Sequence, residues 1–295
     1  MDRSKEHSPA ANAKQATPVV GTIHAAARQH RLRRLAARAG DTLLVLLLLY
    51  FLIAYGILPL AWRHFDHHPP MAAAPKTAYT VDGIPGDPLN VALVGEQDEV
   101  VAAMLAAGWF PADRTTLRSS VHIATSVVFK HEYDTAPVSN LYVWGRQQDL
   151  AFEQPVDENA RQRHHVRFWK SSELGMGDRP LWIGAGTFDR SVGISHLTGK
   201  ITHHIASDVD TERDHVIETL SHAGQLTEVF QVTGVGATLD GRNGGGDRYF
   251  TDGELTIGEV SPANVVQKEP PRLLANPAGI QAKNDAMARL RPLLQ

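Results

Sequence analysis

A chain of 295 residues with fifteen histidines and no cysteine narrows its own chemistry. Without sulfur it has no thiol nucleophile, no CxxC redox pair, no disulfide scaffold and no Cys-ligated zinc, so any metal must sit on His, Asp or Glu. The histidines are unevenly spread. Three precede residue 41, three lie between 64 and 68, and five stand between His164 and His204. Those five fall in the segments RHHVRFW (163 to 169) and KITHHI (200 to 205) and in the intervening SVGISH.

Strand geometry halves what such pairs can contribute, because neighbouring side chains point to opposite faces. His165 shares a face with Arg163, Arg167 and Trp169, whereas His164 goes with Val166 and Phe168; His204 goes with Lys200 and Thr202, and His203 with Ile201 and Ile205. The polar faces therefore predict a group of His165, Arg167 and His204, joined by Asp189, Arg190 and His196 if the segment between them is a neighbouring strand. Two chemistries suit this candidate catalytic set. His165, His204 and Asp189 could hold a divalent metal with an open water position for hydrolysis. Alternatively Arg167, Arg190 and His196 could bind phosphate beside a His acting as general acid or base near neutral pH. The competing reading is structural: partly buried histidines satisfied by backbone or carboxylate, and cross-strand pairs on a solvated face. No HExxH motif decides for metal, and no cofactor is assigned.

A second feature is LDGRNGGGDRYFTDGEL, 239 to 255. Gly244, Gly245 and Gly246 admit unusual backbone angles or a close ligand, and Arg242 and Arg248 flank them as candidate anion binders. No Gly-Lys-Ser/Thr closes the run, so it is not a P-loop. A long hairpin connection is the simpler reading; Asp240, Asn243, Asp247 and Asp252 offer calcium-type oxygens as a rival.

The elements that must position these residues follow from periodicity. LNVALVG (89 to 95) reads as a strand, and Glu96, Asp98 and Glu99 open a helix that Gly108 stops. A second helix is expected over 115 to 130. NLYVWG and LAFEQPV form an expected hairpin around Arg146 to Asp149, then strands follow at 163 to 169, 181 to 189 and 200 to 205. Thr211 with Asp214 resembles a capping box for a helix ending at Gly224, with His215 and His222 on its outer side. Asp208, Asp210, Glu212 and Asp214 read as a loop and helix N-terminus. Strands LTEVFQV and ELTIGEV close an α+β domain over 82–260, a mainly antiparallel sheet with two or three helices.

One transmembrane helix precedes that domain. Residues 42–62, TLLVLLLLYFLIAYGILPLAW, carry no charge, and about 31 Å of helix crosses a hydrocarbon core of about 30 Å. Arg28, Arg31, Arg33, Arg34 and Arg38 precede it, against Arg63 and Lys76 after it. The positive-inside rule therefore predicts an uncleaved signal anchor in an inner membrane, with residues 1–41 a disordered basic cytoplasmic arm and the rest periplasmic. Residues 63–81 are an expected proline-rich linker and 261–295 an expected flexible tail. The net charge of −3 argues against nucleic acid, which leaves the lipid bilayer and envelope or secretion proteins as partners.

The strings QRHHVRFW, LWIGAGTFDRSVGISH, ITHHI, ERDHV and GRNGGGD, in that order, resemble the LssY C-terminal domain family over about 82 to 260. The resemblance implies a bacterial membrane-associated protein. Some longer relatives join this domain to a DedA-type membrane domain and a phosphatidic-acid phosphatase domain, and the family name comes from a locus linked to type I secretion. It carries no activity for the domain itself. The phosphatase set is absent here: Arg190 and His196 keep its interval, but Lys200 stands where an Asp is required and no Pro-Ser-Gly-His occurs. An accessory or binding role in envelope transport or secretion is the leading expectation. The alternative is a hydrolase acting on a phosphorylated or lipid-linked envelope substrate.

Overall fold

The computed structural model describes residues 19–60, 71, 74–112, 140–156, 162–195, 199, 201–236 and 239–294. The chain divides into two units, Met1–Arg63 and His64–Gln295.

The described residues of the first unit are helical. α1 (Val19–Leu52) passes into a π turn at Ile53–Ile57 and continues to Leu60. The π turn, in which the Leu58 amide donates to the Ile53 carbonyl, stands just before Pro59. That position explains it: Pro59 has no N–H for the Tyr55 carbonyl and its ring would clash there, so the ladder widens by one residue. Leu43–Leu49 and the residues up to Leu60 are almost all exposed, and Arg28–Leu60 is long and apolar enough to cross a membrane. Residues 19–41, expected as part of a disordered arm, are instead helical. Ala, Leu, Arg and Gln dominate between Gly21 and Gly40, and these are strong helix formers. The earlier part of the arm lies outside the described residues.

Among its described residues the second unit carries fifteen strands: β1 (Thr77–Tyr79), β2 (Pro85–Pro88), β3 (Val91–Val94), β4 (Phe110–Pro111), β5 (Tyr142–Val143), β6 (Arg146–Gln147), β7 (Leu150–Pro155), β8 (Arg163–Leu174), β9 (Pro180–Ile194), β10 (Ile201–Ile205), β11 (Leu226–Thr233), β12 (Asp240–Arg242), β13 (Arg248–Phe250), β14 (Glu254–Val260) and β15 (Arg272–Leu273). Its helices are α2 (Gln97–Ala106), α3 (Val209–His222) and α4 (Ala278–Leu294). The main sheet runs β15-β11-β14-β3-β9-β8-β7-β4, with β10 also on β9; a four-stranded sheet runs β2-β1-β5-β6, and β12 pairs β13. All pairs are antiparallel except β14 with β3 and β11 with β15. The fold is therefore α+β with a mainly antiparallel sheet.

Alternation along the central strands sorts the core into two layers. Val91, Leu93, Val166, Phe168 and Trp182 face α2 and α3, packing with Val101, Met104, Val216 and Leu220. Ala92, Val94, Trp169, Leu181 and Ile183 face the small sheet, packing with Ala78, Leu141 and Val143. Each of these large side chains, fully buried, contributes about 1.5–3 kcal/mol.

Several expectations are corrected. β5 does not pair with β7. It turns back onto β6 through Trp144 and Gly145, whose φ values of 52° and 75° suit a tight two-residue hairpin, and β7 belongs to the other sheet. α3 begins at Val209 rather than at Thr211, because the Asp208 carboxylate accepts from the Asp210 and Thr211 amides, both at 3.2 Å. The tail is fastened down. β15 pairs with β11, Ile280 of α4 is buried, Lys283 bonds Glu254, and Arg291 Nη2 lies 2.7 Å from Asp210 Oδ2. The helix expected over 115 to 130 lies outside the described residues.

Candidate functional site: a buried polar cleft between the two sheets

β9 organises the site. β8 pairs along one side of it; on the other, β3 covers Leu181–Gly184 and β10 covers Asp189–Ile194. Between β3 and β10 the edge of β9 is completed by Asn90, whose side chain accepts from the Gly186 amide (2.9 Å) and donates to the Gly186 and Val209 carbonyls (3.0 and 2.8 Å). One amide side chain thus mimics a strand and ties down the start of α3.

Register places Arg163 opposite Asp189, His165 opposite Thr187 and Arg167 opposite Ala185. Their side chains share the face beneath the small sheet. Arg163 Nη1 donates to Glu153 Oε2 at 2.8 Å, and Arg167 Nη1 to Asp87 Oδ2 at 3.0 Å. His165 is 1% exposed, and burial, followed by the charges of Arg167 and Arg163 and by His203, holds it well below the usual imidazole range. Asp87 is displaced the other way. Burial raises it, Asp189 and Asp247 add to the rise, and Arg167 and the Asn243 side chain pull it back.

The expected partner His204 does not join this group; His203 does. β10 pairs Ile205 with Asp189 and His204 with Ser191, so Arg190 is an extra residue in β9. That bulge resets the alternation, putting His203 on the face of Asp189, with Nδ1 3.2 Å from Asp189 Oδ2. Arg190 is consumed by the bulge itself, donating from Nε to the Ile205 carbonyl at 2.8 Å. His204 turns to Asp247, Nδ1 to Oδ1 2.9 Å. His196 lies outside the described residues.

The glycine run is a hairpin turn between β12 and β13, and it reaches the same place. Asn243 Oδ1 accepts from the Gly245 and Asp247 amides at 3.0 and 2.9 Å, which fixes the turn, and Gly246 takes φ 90°. Asp87, Arg167, Asp189, His203, Asn243 and Gly245 are among the residues lining one cleft of about 360 Å³. Gly244 lines it as well. The flanking arginines do not enter it: Arg242 donates to the Gly246 carbonyl, and Arg248 pairs with exposed Asp240 at 3.0 Å. Among the described residues no group of three or more His, Asp or Glu is placed to hold a metal ion, and His165, His204 and Asp189 do not gather as a triad.

The opposite face of the sheet holds a second polar group. His164 Nδ1 lies 2.7 Å from Glu212 Oε2, its ring stacks on His215 at 3.8 Å, and His215 Nε2 reaches Gln154 Oε1 at 2.7 Å. Burial raises Glu212, opposed by His164; burial and then His164 lower His215 to about 4. His215, expected to face outward, is a partner of the sheet. The missed signal was Glu212 and His215 three apart on one helix face. Asp87 carried no comparable signal, because a carboxylate in PGDP reads as loop. His203 was missed because a bulge leaves no mark in hydropathy.

No curated protein and no solved structure matches the chain. The family model described as LssY C-terminus matches residues 71–255, more than half of the chain and all of the cleft-forming segments from β2 to the glycine-rich turn, so the chain belongs to the LssY C-terminus family.

Proposed function

We propose that this protein is a membrane-anchored binding component of a bacterial cell envelope, serving transport or secretion. In this reading the arginine-flanked helix sits in the inner membrane with the N-terminal arm cytoplasmic, and the family domain works in the periplasm. The domain takes a small polar ligand in the cleft.

One observation carries the binding role. Polar side chains from β2, β8, β9 and β10 and the backbone of the glycine-rich turn meet in one cleft. Buried polar groups are costly to assemble, and convergence of this many from separate segments is the usual mark of a ligand site. The second reading is a hydrolase acting on a phosphorylated or lipid-linked envelope substrate. It is favoured by Asp189 beside His203, a carboxylate and an imidazole together at the cleft wall of the kind that acid–base catalysis uses, and by the raised carboxyl of Asp87, which suits a proton donor.

The test is thermal unfolding of the full-length protein in micelles against inorganic phosphate, amino acids and neutral hexoses. A ligand at one hundred times its Kd stabilises by about 2.7 kcal/mol. At least one class should raise the melting temperature of the wild type and not of Gly245→Val, whose side chain intrudes on the cleft. The binding role fails if no class does so, or if the shift survives that substitution. Turnover of a phosphoester lost in His203→Gln would favour the hydrolase.

A further inference from the structure

We infer that the wall of this cleft at Asp189 and His203, with the buried polar atoms that stand behind it, is a receptor for an uncharged hydroxyl group, so that the ligand is a neutral polyol such as a sugar rather than a phosphate. The inference rests on the binding role proposed above and narrows its ligand.

The observation behind it is a set of unmet hydrogen-bonding atoms. Among the described residues Arg163 Nε, His165 Nε2, Thr187 Oγ1, Asp189 Oδ2 and His203 Nδ1 are buried without a hydrogen-bond partner. These are not scattered. Arg163 faces Asp189 and His165 faces Thr187 in the strand register, Arg163 Nε is 4.0 Å from Asp189 Oδ2, and His203 Nδ1 is 3.2 Å from the same oxygen. Native proteins leave few buried polar atoms unpaired, and a cluster beside a cleft marks the place of a missing partner. Asp189 and His203 line the cleft directly.

The chemistry of these atoms selects the partner. A carboxylate oxygen only accepts, an arginine Nε only donates, and a threonine hydroxyl and a neutral imidazole do either. The missing group must therefore donate and accept at once. A phosphate monoester dianion only accepts, and any phosphate would meet Asp189 as a like charge. An ammonium only donates and would meet Arg163. A hydroxyl satisfies both. Arg167, the one arginine among the described lining residues, is bonded to Asp87, which leaves phosphate without a dedicated cation. Tyr142 lines the same cleft and supplies an aromatic ring of the kind on which the C–H face of a pyranose rests.

Calorimetric titration of the full-length protein tests this, using lauryldimethylamine oxide micelles because a maltoside detergent would itself present sugar. The probes are glucose, N-acetylglucosamine and inorganic phosphate, and the proteins are wild type, Thr187→Val and Asp189→Asn. At least one of the two sugars should bind wild type, with affinity falling tenfold or more in both variants. Thr187→Val should melt no lower than wild type, since its hydroxyl has no partner in the free protein. Sugar affinity unchanged in Thr187→Val overturns the inference, as does silence with both sugars. Phosphate binding that Gly245→Val abolishes, with no sugar bound, overturns the hydroxyl receptor and leaves the binding role standing. Silence with every probe here, together with no shift by amino acids in the melting test, removes both.

Discussion

Enclosed between Arg163 and Arg167, His165 is held neutral, and that fixes how the fold responds to acid. Its folded pKa lies below the value of about 6.5 that it takes in the unfolded chain. Above that pH both states are neutral and the group contributes no slope. Below it the unfolded chain gains a proton that the folded protein refuses, so stability falls as pH drops, by at most about 1.4 kcal/mol per unit. His215, lowered to about 4, acts in the same direction, with a smaller effect because it is half-buried. Asp87 acts oppositely: its raised carboxyl stabilises the folded state at low pH, and that contribution is lost as pH rises through the folded value. The clean readout is therefore a difference. Urea unfolding followed by the buried tryptophans, at several pH values from 7 downward, should show a flatter acid limb for His165→Gln than for wild type. Parallel limbs would mean that His165 takes up its proton at the same pH in the folded and unfolded states, and that its enclosure does not exclude the charge.

At the scale of elements, a network of buried charges ties α3, α4 and the turn that precedes β14 together. Arg213, 2% exposed, donates to Asp210 and bidentately to Asp252, at 2.7 and 3.1 Å for the latter, and both carboxylates also lie near Arg291 of α4. Its neighbours hold Arg213 firmly charged, pushing it above the ordinary guanidinium value against the effect of burial. Removing one partner of a buried pair costs about 3–5 kcal/mol, because the other is left uncompensated. Arg213→Leu is expected to lower stability by that amount in urea unfolding. Arg291→Ala, at the more exposed end, should cost less, about 1–3 kcal/mol. If Arg291→Ala changes nothing, α4 rests on the domain without holding it. Gly184→Ala belongs to the same scale: an added Cβ would stand 2.6 Å from Phe168 Cδ1 and 2.8 Å from the Arg167 carbonyl, an overpacking expected to cost about 1–3 kcal/mol.

What the sequence revealed at this scale was set by how local the cause was. β14 was legible residue for residue, α2 was announced by its acidic first turn and Gly108, and β8 and β9 by their apolar alternation. The deeper half of the site was legible in part, because His165, Arg167 and Asp189 do share a face. The substitution of His203 for His204 depends on the bulge at Arg190, and the arrival of Asp87 depends on a separate small sheet; neither is encoded in a single segment's pattern. The same limit explains α4. Its ion pairs join positions 29 to 83 residues apart in the chain, which no window of periodicity connects, so a docked helix read as a free tail.

For the whole molecule the decisive quantity is the asymmetry of charge across the apolar helix. Five arginines stand in the twenty residues before position 42 and two basic residues in the twenty after position 62, and moving an arginine through the bilayer centre is disfavoured by about 2.5–3.5 kcal/mol even on insertion scales. The arm should therefore stay on the cytoplasmic side, with the cleft exposed to a compartment in which free cysteine is a liability and none is present. Fusion of a reporter active only in the periplasm after residue 88 should give activity, and fusion before residue 28 none. Replacing Arg28, Arg31, Arg33, Arg34 and Arg38 by Ser removes the asymmetry without touching the family domain, and should yield a mixture of both orientations. If the variant keeps full periplasmic activity, orientation is governed by something other than these arginines. If the wild-type fusion after residue 88 is silent, the domain faces the cytoplasm, and a periplasmic ligand for the cleft is ruled out with it.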